Sequence, residues 1–123
     1  MPSIDRAFLL NALAWLMIGT IFGFWMGASD QLQYISVHVA MMLPGFVTLA
    51  IYGFIYRLWP ELKRQGLAAA QFWLAVLAQP LLVLGSLWMV LDGSIGLVAV
   101  ASAGVIVAAG LLGWMFLTGA ARS

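Results

Sequence analysis

The sequence predicts an all-α integral membrane protein, a four-helix up-down bundle with both termini in the cytoplasm. Three observations carry that prediction. Of the 123 residues 65% are hydrophobic and 7% charged, and a mean hydropathy of +1.09 leaves too little polar surface to cover a water-soluble globule of this length. The charges gather at Asp5 and Arg6, Asp30, Arg57 to Arg64, Asp92 and Arg122, with four long apolar runs between them. All the basic residues, Arg6, Arg57, Lys63, Arg64 and Arg122, fall on one side of a four-span arrangement, whereas the loops around Asp30 and Asp92 carry none. By the positive-inside rule the basic side is cytoplasmic.

The apolar runs read as helices at about 7–27, 34–58, 67–91 and 95–119, each meeting the roughly 20 residues a helical span requires. They make 1–123 a single membrane domain, and the short loops make sequential helices antiparallel neighbours. The first run is too long for the apolar core of a signal peptide and has no small-residue cleavage site, so it is expected to be retained. Along it Asn11, Trp15, Gly19, Gly23 and Gly27 recur every four residues. Such a stripe lets another backbone approach closely, and the same groove would suit a flat macrocycle. In the third run Gln71, Gln79 and Ser86 share a face, and Pro80 frees the carbonyl of Val76. That face is predicted to point into the bundle and bond to other helices. The fourth run carries Gly96, Ala99, Ala103, Gly110 and Gly113 along one stripe and no ionisable residue, as expected of a packing or oligomer face. Trp25, Tyr34, Tyr56, Trp59, Trp88 and Trp114 lie near the expected interfaces and read as belt anchors.

The second helix carries the candidate chemistry. His38, the only histidine, shares a helical face with Met41, Met42, Gly45, Leu49, Tyr52, Gly53 and Tyr56. An imidazole in a membrane span is costly to bury and is a good ligand for heme iron or copper. Pro44, in the same turn, cannot donate to the carbonyl of Ala40 and so bends or loosens the helix beside His38. A histidine hydrogen-bonded to a loop or headgroup at the interface accounts for the same position. The acids all sit at span boundaries and form no carboxylate pair within the membrane, so no hydrolase or transferase centre is predicted. With no cysteine there is no thiolate metal site and no covalent heme attachment. The clustered basic residues serve topology, and no nucleic-acid partner is expected.

The stretch His38-Val-Ala-Met-Met-Leu-Pro-Gly45-Phe46-Val-Thr-Leu-Ala-Ile-Tyr52-Gly53-Phe-Ile-Tyr56-Arg57-Leu-Trp-Pro60 resembles the second helix of heme-copper oxidase catalytic subunits. It is most similar to short four-helix bacterial proteins of that type, whose motif runs His-x-His-x-Asn-x-x-Gly-Trp, then Tyr-Gly, Tyr-Arg and Pro. Ala14-Trp15-Leu16 through Gly19 and Gly23 resembles their first helix. The resemblance covers about the first half of the chain and is diffuse beyond it. It implies a bacterial inner (cytoplasmic) membrane location and, for His38, an axial ligand position on a low-spin heme near the outer face. The departures are Ala40 for the second histidine, Met42 for asparagine and Phe46 for tryptophan. One histidine cannot supply two axial imidazoles and a copper site, so oxygen reduction by one protomer is not expected.

Three functions follow as expectations. In the first the chain is a small b-type heme protein for electron transfer or heme and redox sensing. His38 is then the iron ligand, Met41, Met42, Gly45, Gly19 and Gly23 line the cofactor, and the sixth ligand comes from Met41, Met42, an exogenous group or His38 of a second protomer. Its partners would be the bilayer, further copies in a dimer or higher homo-oligomer, and a respiratory-chain redox protein. In the second, His38 with Met26, Met41, Met42 and Met89 binds copper(I), which thioethers suit. In the third the chain is a cofactor-free accessory or assembly subunit on an oxidase-like scaffold. The charge asymmetry is directly testable: reporters fused after Arg122 and before Arg6 should both be active as cytoplasmic fusions and silent as periplasmic ones. An active periplasmic reporter after Arg122 would reverse the orientation.

Overall fold

The computed structural model describes residues 3–119, which hold helices and no strand. Helix α1 spans Ile4–Ala28. After a 3-10 turn at Leu32–Tyr34, α2 (Ile35–Ala40), a π turn (Met41–Val47) and α3 (Thr48–Leu58) run on as one rod. A 3-10 stretch at Pro60–Arg64 leads to α4 (Leu67–Asp92), and α5 covers Gly96–Thr118. Four helical stretches, Ile4–Ala28, Leu32–Leu58, Leu67–Asp92 and Gly96–Thr118, are long and apolar enough to cross a membrane. Their ends fall within three residues of the ranges expected from sequence. Arg122, used in the orientation argument, lies outside the described residues.

Local chemistry sets the ends. Asp5 stands in the first turn of α1, where the helix dipole favours a carboxylate. Pro60 disfavours helical backbone at Trp59 and so stops α3. Gly93, at φ 81°, closes α4 in the left-handed conformation that glycine adopts without strain.

Helix α1 packs along α2, the π turn and α3, while α4 packs along α5. The start of α1 meets the end of α3 through Asp5, which is 3% exposed. Its carboxylate takes Lys63 Nζ at 2.7 Å and Arg57 Nη1 at 3.3 Å. Burying that carboxylate is tolerable only because two cations face it. Inward from this ion cluster, Phe8 packs against Phe72, Tyr52 and Tyr56 with ring centroids 4.9, 5.5 and 5.7 Å away.

Tyr56 joins the two pairs of helices. Its hydroxyl donates to Gln71 Oε1 at 3.0 Å, and Gln71 Nε2 donates to the Ala108 carbonyl at 3.2 Å. Tyr56 is therefore a core residue with no exposed surface and not a belt anchor. The belt reading holds better for Trp25, Trp88 and Trp114, each about half exposed or more. Gln71, Gln79 and Ser86 are buried as predicted, and α4 continues unbroken through Pro80.

Of the two roles expected for the small-residue stripe of the fourth helix, packing within the chain is not the one it serves. Gly96, Ala99, Ala103, Gly110 and Gly113 are exposed, and a Cβ added at any of these three glycines meets nothing within 4 Å. The face that packs inward is Ala101, Ala108, Leu112 and Met115. The α5 glycine that does meet α4 is Gly104, where an added Cβ would lie 3.2 Å from Ala78.

The α1 stripe divides in the same way. A Cβ at Gly23 would lie 2.7 Å from the His38 ring, whereas one at Gly27 meets nothing within 4 Å. Gly23→Leu should therefore lower detergent stability by about 1–3 kcal/mol through overpacking, and Gly27→Leu should leave it near wild type. Chemical unfolding of the two variants in the same micelle measures the difference. Equal loss would mean that the stripe packs as a whole.

Candidate functional site

Pro44 is the local cause of the site. It has no N–H, so the α-helical bond to the Ala40 carbonyl cannot form, and the helix widens into the π turn Met41–Val47. Such turns occur mostly as single insertions in α-helices, frequently at functional sites. Two side chains complete the bonding there. Gln79 Nε2, from α4, donates to the Ala40 carbonyl at 2.9 Å, and Thr48 Oγ1 donates to the Leu43 carbonyl at 2.9 Å. Gly45 makes room for the first of these bonds: a Cβ there would lie 2.6 Å from Gln79 Nε2 and 3.1 Å from Trp15.

One turn toward the chain start, Met42 and Met41 face α1. A Cβ on Gly19 would stand 2.5 Å from Met42 Sδ and 3.3 Å from Met41 Cβ. At the next turn of α1, Gly23 receives His38, whose Cε1, Nδ1 and Nε2 would lie 2.7, 3.1 and 3.4 Å from an added Cβ. His38 is half-buried, and its Nδ1 is buried without a hydrogen-bond partner. The six residues expected to line a cofactor thus lie along one seam. The structure pairs His38 with Gly23 and both methionines with Gly19, and it gives Gly45 to Trp15 and Gln79.

This geometry tests each cofactor. An unpartnered imidazole nitrogen suits a metal, but Cε1 and the buried Nδ1 are the ring atoms closest to α1 at Gly23. The glycine groove is filled by the chain's own His38 and Met42, so a macrocycle would lie between α1 and α2 only if the two helices parted. A bare soft ion is smaller, and imidazole with thioether is an apt donor set for copper(I). Met26 is buried and Met89 half-buried. Among the described residues no group of three or more His, Cys, Asp or Glu side chains could hold a metal.

Sequence reasoning missed the pairing of Gln79 with Ala40. Both halves were visible, an orphaned carbonyl four residues before Pro44 and a glutamine on an inward face, but helix rotation and register decide whether they meet. In comparisons with known proteins, no family model, no curated protein and no solved structure matches the chain.

Gln79→Leu keeps the volume and removes the donor, leaving the Ala40 carbonyl only the π-register bond within its own helix. A loss of about 0.5–1.5 kcal/mol is expected, read as a lower unfolding midpoint in detergent. Gln33→Leu, at an exposed position, serves as the control and should not move it. An unshifted midpoint in Gln79→Leu would show that the bond holds nothing together.

Proposed function

We propose that the chain is a cofactor-free accessory or assembly subunit of a larger membrane complex, built on an oxidase-like pair of first helices. One observation carries the reading. The groove of Gly19 and Gly23 is filled by Met42 and His38, so the seam that would hold a macrocycle closes on the chain's own side chains. The bundle runs up-down with both termini cytoplasmic, in a bacterial inner membrane, as the distribution of Arg and Lys and the resemblance suggest. Its function is then exercised through its lateral surfaces. The outward small residues Gly96, Ala99 and Ala103 of α5 offer one such surface for further copies or another helical subunit.

A second reading is favoured by a separate observation, the unpartnered Nδ1 of His38. Here α1 and α2 part and His38 becomes an axial ligand of heme b, with a respiratory-chain redox partner. The group would supply one-electron transfer, and this chain's part would be to present the imidazole and exclude water.

Absorption spectra of the purified protein, oxidised and then dithionite-reduced, separate the two, with metal analysis beside them. We expect a colourless, metal-free protein whose helical content His38→Ala leaves unchanged. Sharp reduced α and β bands that vanish in His38→Ala would replace the first reading by the second. In that case Met42→Leu, which removes sulfur at near-constant volume, turns the spectrum high-spin if Met42 is the sixth ligand. Bound copper lost in either variant would instead establish the soft-ion site.

A further inference from the structure

Away from the His38 seam, α3 and α5 enclose a groove of about 550 Å³ at the end of the bundle where the basic residues gather. Ile55 and Trp59 form one wall, and Ala109, Gly113, Phe116 and Leu117 the other, with no charged side chain among the lining residues. The Trp59 and Phe116 rings meet edge to face, with centroids 4.8 Å apart. That contact bridges the two helices.

The chain beyond Trp59 is tied to α5 next to the groove. Beyond Trp59 comes the Pro60–Arg64 stretch, and Gln65 Nε2 then donates to the Met115 carbonyl of α5 at 3.1 Å. Arg64, between those two attachments, is exposed. This end holds Arg6, Arg57, Lys63 and Arg64 against Asp5 and Glu61, and the one buried carboxylate, Asp5, is already engaged by Arg57 and Lys63. The excess is positive beside an apolar groove. Basic residues at a membrane surface attract anionic headgroups.

We infer that the α3–α5 groove is a binding site for an anionic phospholipid, one acyl chain lying along Ile55, Ala109 and Gly113 and the phosphate beside Arg64. The apolar walls select a hydrocarbon chain, and Arg64 selects the charge of the headgroup. The site is independent of what His38 does.

The test uses the full chain, delipidated in detergent and supplied with phosphatidylglycerol or phosphatidylcholine, with bound lipid counted by native mass spectrometry. Wild type should retain one phosphatidylglycerol several-fold more than phosphatidylcholine. Ala109→Phe, an exposed position that adds a ring to the groove wall, should reduce retention of both several-fold without loss of helical content. Arg64→Gln should erase the preference and keep the residual binding. Equal retention of the two lipids by wild type, or wild-type retention by Ala109→Phe, would overturn the site. So would a wild-type dimer that Ala109→Phe converts to monomer, since a second copy would then fill the groove.

Discussion

The carbonyl of Ala40 is the constraint around which the rest is arranged. In a bilayer there is no water to satisfy a backbone group that loses its helical partner, and Pro44 removes that partner by its covalent structure. The π register turns that carbonyl to the N–H of Gly45, and a second donor arrives from another helix, the amide of Gln79. For that amide to arrive, α4 must lie against the π turn, and residue 45 must be glycine so that nothing blocks it. Trp15 of α1 then closes the other side of Gly45. Three of the four spans thus meet at the π turn that Pro44 sets.

Most of the architecture was legible in the sequence, for reasons that are clear from particular residues. Span lengths follow from the distance between charge clusters, and Asp5 with Arg57 and Lys63 marks the same end of two helices. The inward face of α4 was legible because glutamine in hydrocarbon must find a partner. Tyr56 was not. A tyrosine one residue from Arg57 looks like an interface anchor, and only the approach of Gln71 and Met115 makes it core. For the small-residue stripe of α5 the sequence left two roles, packing within the chain or between copies, and only the first is set aside by its exposure, since glycine spacing records that close approach is possible and does not say to what.

The candidate site was legible as a set of residues and illegible as a shape. His38, Met41, Met42, Gly45, Gly19 and Gly23 do lie on one seam, as their periodicities require. Whether that seam is open or closed depends on side-chain volume against helix separation, which no one-dimensional pattern contains. Here imidazole and thioether enter the space that two absent Cβ atoms leave. Gln79 reaches the Ala40 carbonyl, and a flexible thioether, Met42, fills Gly19's notch.

The π turn also fixes an angular phase. An α-helix advances about 100° per residue, so a turn holding one residue more than the α repeat offsets everything before it from everything after it by that angle. Ahead of the turn, His38 points to Gly23; behind it, Tyr56 points to Gln71 and Met115. A straight helix of the same composition would put His38 and Tyr56, eighteen residues apart, on one bearing. Pro44 therefore works as a rotational offset between the two ends of a span, letting one rod serve two neighbours on different azimuths.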